Sequence, residues 1–148
     1  RQMCIRDRGY VEHANIGVVD PNKTVKLLTT ALPEWRIRGG GEYVNGQGET
    51  IQWCHVGDEN SYIALSSTGK GEAPDWQTRF TGVKHVGIVV TDLDAMEARL
   101  AKQGYFVDHR GDEHPHRKNA YYMDDHNLQF EFIEYLSEQP EQKNDYSL

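Results

Sequence analysis

Two histidines in matching positions are the first candidates for chemistry. Residues 13–20 read HANIGVVD and residues 85–92 read HVGIVVTD, so an offset of 72 pairs His13 with His85, Ile16 with Ile88, Val18 with Val90 and Asp20 with Asp92. Imidazole is the commonest protein metal ligand. Two copies of one unit, related by a pseudo-two-fold axis, can bring equivalent histidines together, which points to a metal site. The remaining reactive side chains carry weaker signals. Cys54 beside His55 has no activating arrangement that spacing defends. His109, His114 and His116 lie in DHRGDEHPHRKN, whose composition reads as a solvated loop at a pocket mouth rather than a second metal site. The run Gly39-Gly40-Gly41 lacks the Lys-Ser/Thr pair of a phosphate cradle.

The elements that position these histidines follow from the same repeat. Residues 10–19 alternate like a strand, with Tyr10, Ala14, Ile16 and Val18 suited to a helix-covered face. Val11, His13, Asn15, Gly17 and Val19 fall on the other face, as in a cup-shaped site. Asp20-Pro21 reads as an N-cap with proline at the first helical position, and Val25, Leu28 and Leu32 continue a helix over about 21–32. Strands are expected over about 35–43, 49–56 and 61–66, with Gly39–Gly41, Asn45–Gly48 and Gly57–Asn60 as turn chemistry. Residues 67–81 have linker composition. The second copy repeats the order: a strand at 83–91, Asp92 as N-cap, and Leu93, Met96 and Leu100 striping a helix that stops at Gly104. Strands near 105–109, 119–123 and 128–135 complete it. The fold class expected is α+β, two βαβββ modules over residues 9–66 and 82–136, forming a cup-shaped curved mixed sheet with helices outside. The tail over 137–148 is expected to be disordered.

The chain has 148 residues and a net charge of −7, which speaks against a nucleic-acid partner, because phosphate neutralisation needs clustered Lys and Arg. No apolar run approaches the ~20 residues of a membrane span. The two cysteines form no disulfide framework, so a reduced, cytoplasmic setting is the default expectation. Residues 1–8, RQMCIRDR, have no apolar signal core and resemble translated sequencing-adapter read-through; they are read as non-native, with the native chain starting near Gly9.

Paired βαβββ units resemble the vicinal oxygen chelate superfamily, which includes glyoxalase I, extradiol ring-cleaving dioxygenases, fosfomycin-resistance transferases and bleomycin-binding proteins. The resemblance runs over about residues 10–135 and is carried by EHANIGVVDP, KHVGIVVTDLDA and DDHNLQFEFIE. It implies metal-ligand positions at His13, His85 and Glu131, with Asn127 where glycine is usual in the turn. Aligning GDENSYIAL (57–65) with DDHNLQFEF (124–132) at an offset of 67 puts Ala64 in the fourth ligand position, so the first copy lacks its carboxylate.

Two histidines and one carboxylate with open positions suit a non-haem Fe(II) oxygenase or, with Zn²⁺, hydrolysis. The missing glutamate disfavours glyoxalase-type proton transfer unless another group supplies it; His55, Glu12 and Tyr122 are the candidates. The resemblance thus implies a glyoxalase- or dioxygenase-like enzyme with a divalent metal (Fe, Mn, Zn or Ni) acting on a small oxygen-bearing substrate. Lyase or dioxygenase chemistry is favoured over transferase chemistry. The alternative is a metal-free protein that sequesters a small molecule in the same cup, for which Trp35, Trp53 and Trp76 are candidate walls. Pairing of modules within a chain and exchange between two chains both rebuild the cup, and a homodimer is expected either way.

Overall fold

The computed structural model describes residues 8–148. The reading of residues 1–8 as non-native, and with it Cys4, falls almost wholly outside them.

The first module runs β1 (His13–Gly17), α1 (Pro21–Ala31), β2 (Arg36–Val44), β3 (Thr50–Gly57) and β4 (Tyr62–Ser66); the second runs β5 (His85–Val89), α2 (Leu93–Lys102), β6 (Arg117–Met123) and β7 (Gln129–Tyr135). Two sheets result, ordered β1-β4-β3-β2 and β5-β7-β6. Both helices start as their capping residues dictate. Asp20 accepts from the Asn22 N–H ahead of Pro21, and Asp92 accepts from the Ala95 N–H. Helix α2 gives way at Gly104, whose φ of +85° is open to glycine at little cost.

The internal repeat is preserved in the hydrogen-bond register. β1 and β4 are parallel with Asn15 opposite Ala64, and β5 and β7 are parallel with Gly87 opposite Glu131. These pairs are related by the same offsets, 72 and 67, that align the two copies in sequence. The turn before β7 is closed by Asn127 at φ 63°, the one non-glycine with positive φ among the described residues. Asn is among the few non-glycine residues that tolerate this conformation, and its side chain donates to the carbonyl of the distant Ala73.

Three expected features differ. Residues 105–109 form no strand of their own; only an isolated bridge from His109 to Tyr121 marks the edge, with the Asp108 and Tyr121 N–H groups donating to Tyr121 and His109. Gly39–Gly41 lie inside β2 rather than at a turn, with a register shift between Ile37 and Gly39. A Cβ on Gly40 would stand 2.8 Å from the Trp53 carbonyl oxygen, so close strand passage rather than a turn requires glycine there. The segment after Ser137 carries a short helix, α3 (Pro140–Lys143), and His114 Nε2 bonds the Asp145 carbonyl, in place of the expected disorder.

Both modules share one core. Leu27, Leu28 and Leu32 of the α1 region pack with Leu93, Met96 and Leu100 of α2, against Val56, Ile63 and Leu65 from one sheet and Phe130 and Phe132 from the other. Each sheet thus spends its apolar face under the helices. At roughly 25 cal/mol per Å² of apolar area, this burial is the main stabilising term.

Polar contacts fix the modules to each other at both ends of α1. Arg99 of α2 donates to the carbonyls of Thr30 (3.1 Å) and Ala31 (2.8 Å), capping the C-terminus of α1. At the other end the Asp20 N–H donates to His126 Nε2 (3.0 Å), and Thr24 Oγ1 donates to Asp124 Oδ2 (2.6 Å). His126 Nδ1 lies 3.1 Å from the same carboxylate oxygen. Since Nε2 accepts, Nδ1 carries the proton and donates to Asp124.

Candidate functional site

Burial alternates identically in β1 and β5, with His13, Asn15 and Gly17 exposed in one and His85, Gly87 and Val89 in the other. Partners directly opposite each other across a ladder share a face, as do residues two apart on one strand. His85, Glu131 and Tyr121 therefore share the outward face of the second sheet; His13, Ala64, Tyr62 and His55 share that of the first.

On the second sheet His85 Nε2 lies 3.8 Å from Glu131 Oε2. That is too long for a hydrogen bond. Two ligands of one cation, each at about 2.1 Å, stand roughly 3.0–3.4 Å apart, so this pair is within a few tenths of an ångström of bracketing an ion. The other carboxylate oxygen is held from behind. Tyr121 donates its hydroxyl to Glu131 Oε1 at 3.1 Å, and Asn119 Nδ2 approaches it at 3.5 Å. Burial and the neighbouring Glu131 charge push the Tyr121 phenol above its ordinary range, which keeps it a donor.

On the first sheet His13 Nδ1 lies 2.9 Å from Glu12 Oε1. A carboxylate can only accept, so Nδ1 holds the proton and Nε2 is left with a free lone pair. A ligand histidine oriented by a carboxylate in this way is a recurrent metal-site device. The His13 ring stacks on Tyr62 (centroids 4.6 Å apart), which stacks on His55 (4.4 Å). Arg38 places its guanidinium carbon 4.4 Å from the Tyr62 ring centre.

The donor chemistry of His13, His85 and Glu131 fits a divalent cation. Within one chain, however, the three are not brought together. Among the described residues no group of three or more His, Cys, Asp or Glu side chains is placed to hold a metal. A groove of about 350 Å³ between β1 and β5 takes in His13, Trp35 and Tyr62 but neither His85 nor Glu131. His13 stands on the edge strand of one sheet and the His85–Glu131 pair on the other sheet, and across the groove between β1 and β5 His13 shares its lining with Gly87 and Val89 rather than with His85.

The proton-transfer candidates separate. His55 shares His13's face, one ring beyond Tyr62. Glu12 is engaged as the acceptor for His13. Tyr122 is a correction: it is 1% exposed, packs edge-on against Phe132 in the core, and burial pushes its phenol up to about 12. The alternation of β6 turns Tyr121 to the site and Tyr122 to the core, one residue out of phase with the expectation. Ala64 is 7% exposed at the position equivalent to Glu131, so the first sheet offers no carboxylate there. Cys54 is buried with its thiol pushed up by desolvation, as an inert core thiol should be.

From sequence Trp76 is a candidate wall and His109 part of a solvated loop at the pocket mouth; the bridge to Tyr121 puts His109 on the site face. The ring of His109 stacks on Tyr121 (4.3 Å, 5°) and on Trp76 (4.5 Å, 13°), and Tyr121 meets His85 edge-on at 5.3 Å.

A parallel-strand βαβββ repeat with an oxygen- and nitrogen-donor face defines the class. No protein-family model matches the sequence, and no curated protein matches it significantly. Solved structures do match. A glyoxalase family protein from Bacillus cereus is 14% identical with a TM-score of 0.70, over 92% of this chain and 100% of that one. A fosfomycin resistance protein, FosX, from Listeria monocytogenes, solved with Mn(II) and 1S,2S-dihydroxypropylphosphonic acid, is 15% identical with a TM-score of 0.65, over 93% of this chain and 99% of that one. An antibiotic binding protein from Streptomyces sp. CB03234 is 17% identical with a TM-score of 0.61, over 90% of this chain and 99% of that one. The chain has the fold of the vicinal oxygen chelate superfamily.

Proposed function

We propose that this protein is a homodimeric divalent-metal enzyme acting on a small oxygen-bearing substrate, with each site built from two copies: His85 and Glu131 of one subunit and His13 of the partner subunit. One observation carries the reading. The pseudo-equivalent histidines stand on exposed faces of separate sheets, Glu131 lies 3.8 Å from His85, and among the described residues of one chain no third His, Cys, Asp or Glu joins that pair, a gap that His13 of a second copy would fill. Exposed apolar side chains support it: Val11 and Val83, again 72 residues apart, are largely exposed two residues before β1 and β5. Apolar side chains left exposed in equivalent places are what a second chain covers.

The residues present divide the work. Glu131 is fixed by Tyr121 and Asn119 so that Oε2 faces inward, and His13 is fixed by Glu12. A divalent cation held by these three would act as a Lewis acid toward vicinal oxygens and stabilise a developing oxyanion. His55 and Tyr62 line the cup from the partner subunit's half, and Arg38 gives that half a positive charge. The solved FosX complex with Mn(II) shows that this fold can carry such an ion.

A metal-free sequestering protein is the second reading, favoured by the absence of a fourth carboxylate at Ala64 and by the antibiotic binding protein of the same fold. The test is elemental analysis of untagged protein beside His85→Ala and Glu131→Ala. Near-stoichiometric Fe, Mn, Zn or Ni, lost in both variants, supports the enzyme. No metal after reconstitution leaves the sequestering protein.

A further inference from the structure

We infer that residues 108–111, at the edge of the second sheet, are the positioning segment of the Glu131 carboxylate, with Arg110 as the anchor of that segment on α2. This rests on the metal-site reading above. Both side chains that donate to Glu131 Oε1 stand on β6, Tyr121 at 3.1 Å and Asn119 at 3.5 Å. Each is held by this one segment. The Asp108 N–H donates to the Tyr121 carbonyl (2.8 Å), the Tyr121 N–H donates to the His109 carbonyl (2.9 Å), and the His109 ring stacks on the Tyr121 ring. Two residues along, the Gly111 N–H donates to Asn119 Oδ1 at 3.0 Å.

A backbone N–H can only donate, so the Gly111 bond fixes which end of the Asn119 amide is oxygen and turns Nδ2 toward Glu131. The approach is close enough to need glycine. A Cβ at position 111 would stand 2.7 Å from Asn119 Nδ2 and would push the amide off the carboxylate.

Arg110 supplies the anchor. Its Nη1 and Nη2 donate to Glu97 Oε1 (2.7 Å) and Oε2 (3.1 Å) on α2, and Nη1 also meets the Asn119 carbonyl at 3.3 Å. A two-pronged guanidinium–carboxylate pair is the geometry in which a partly exposed ion pair keeps its orientation. Helix α2 is set in the shared core by Leu93, Met96 and Leu100, so Glu97 stands on an element that packing holds in place.

The consequence falls on one oxygen. With Oε1 engaged by two donors, Glu131 presents Oε2 to His85, 3.8 Å away. Ala64 holds the equivalent position of the first sheet, so no carboxylate there shares the task. Partners that orient a ligand carboxylate from behind change metal affinity by about 10- to 100-fold.

The test titrates the untagged full chain with Mn(II) and, for its visible absorption, with Co(II). Arg110→Met, Gly111→Ala and Asn119→Ala should each bind Mn(II) about tenfold more weakly than wild type and shift the spectrum of bound Co(II). The unfolding midpoint of the metal-free protein should stay nearly unchanged in all three. Gly111 acts through Asn119, so the double variant Gly111→Ala/Asn119→Ala should bind no more weakly than Asn119→Ala alone. In metal-free protein the side-chain amide NMR signal of Asn119 should move in Arg110→Met and in Gly111→Ala. Wild-type affinity and Co(II) spectrum in those two variants overturn the positioning role alone. Losses that multiply in the double variant, or an unmoved Asn119 signal, overturn it as well. A wild-type chain that holds no Mn(II) overturns the metal reading and the positioning role with it.

Discussion

If each site draws His13 from one subunit and His85 with Glu131 from the other, two defective variants should repair each other. His13→Ala and Glu131→Ala each remove one donor from every site in their own homodimers, and neither homodimer should hold metal stoichiometrically. In a heterodimer the two lesions fall in the same site, because the His13→Ala subunit offers its defective half to the cup that the other subunit's Glu131→Ala already spoils. The second cup is then wholly wild type. Free reassortment of equal amounts makes half the dimers mixed, and each has one intact site of two, so about one quarter of the wild-type metal should return. His85→Ala mixed with Glu131→Ala is the control. Both lesions lie in the same module, both cups stay broken, and nothing should return. Metal is read by elemental analysis after removal of free ions, and exchange is verified by native mass spectrometry with one isotopically labelled variant. Verified exchange with no recovery in the first mixture would refute the shared site, as would recovery in the control.

Three further outcomes follow from individual contacts. Tyr121→Phe removes the hydroxyl that holds Glu131 Oε1 while keeping the stacked ring, so metal affinity should fall about 10- to 100-fold with the unfolding midpoint nearly unchanged. Thr24→Val removes the 2.6 Å bond to Asp124 at the junction of the modules and should cost about 1.5–3 kcal/mol in urea unfolding. At high pH, Tyr105 and Tyr122 are both pushed up to about 12 in the folded protein by burial. The unfolded chain loses these protons near pH 10 and the folded one does not, so stability should be full below about 10 and decline from there to about 12. Tyr122→Phe should flatten that decline, as read by denaturation from pH 9 to 12.

Local chemistry made much of this protein legible in its sequence. The phrases at 13–20 and 85–92 carry strand alternation, helix caps and histidine placement within eight residues each, and all of that is short-range information. The structure keeps it: the caps at Asp20 and Asp92, the exposed faces of β1 and β5, the left-handed Asn127 and the equivalence of Ala64 with Glu131. Where periodicity was weak the reading slipped. Adjacent tyrosines at 121 and 122 satisfy either phase of a strand, and only pairing with β7 decides which one meets Glu131.

What sequence by itself determined is the repeat: its two modules, the faces of their strands and the three side chains proposed to hold a cation. Tertiary structure alone decided how those modules meet. A single-residue pattern cannot say which side chains of one module meet the other. The bridge from His109 to Tyr121 brings His109, with Trp76 stacked on it, onto the site face. Arg99 on the end of α1, and His126 with Asp124 on its start, join the two modules within the chain. Those contacts join residues 68 to 106 positions apart, and no local spacing in the chain encodes them.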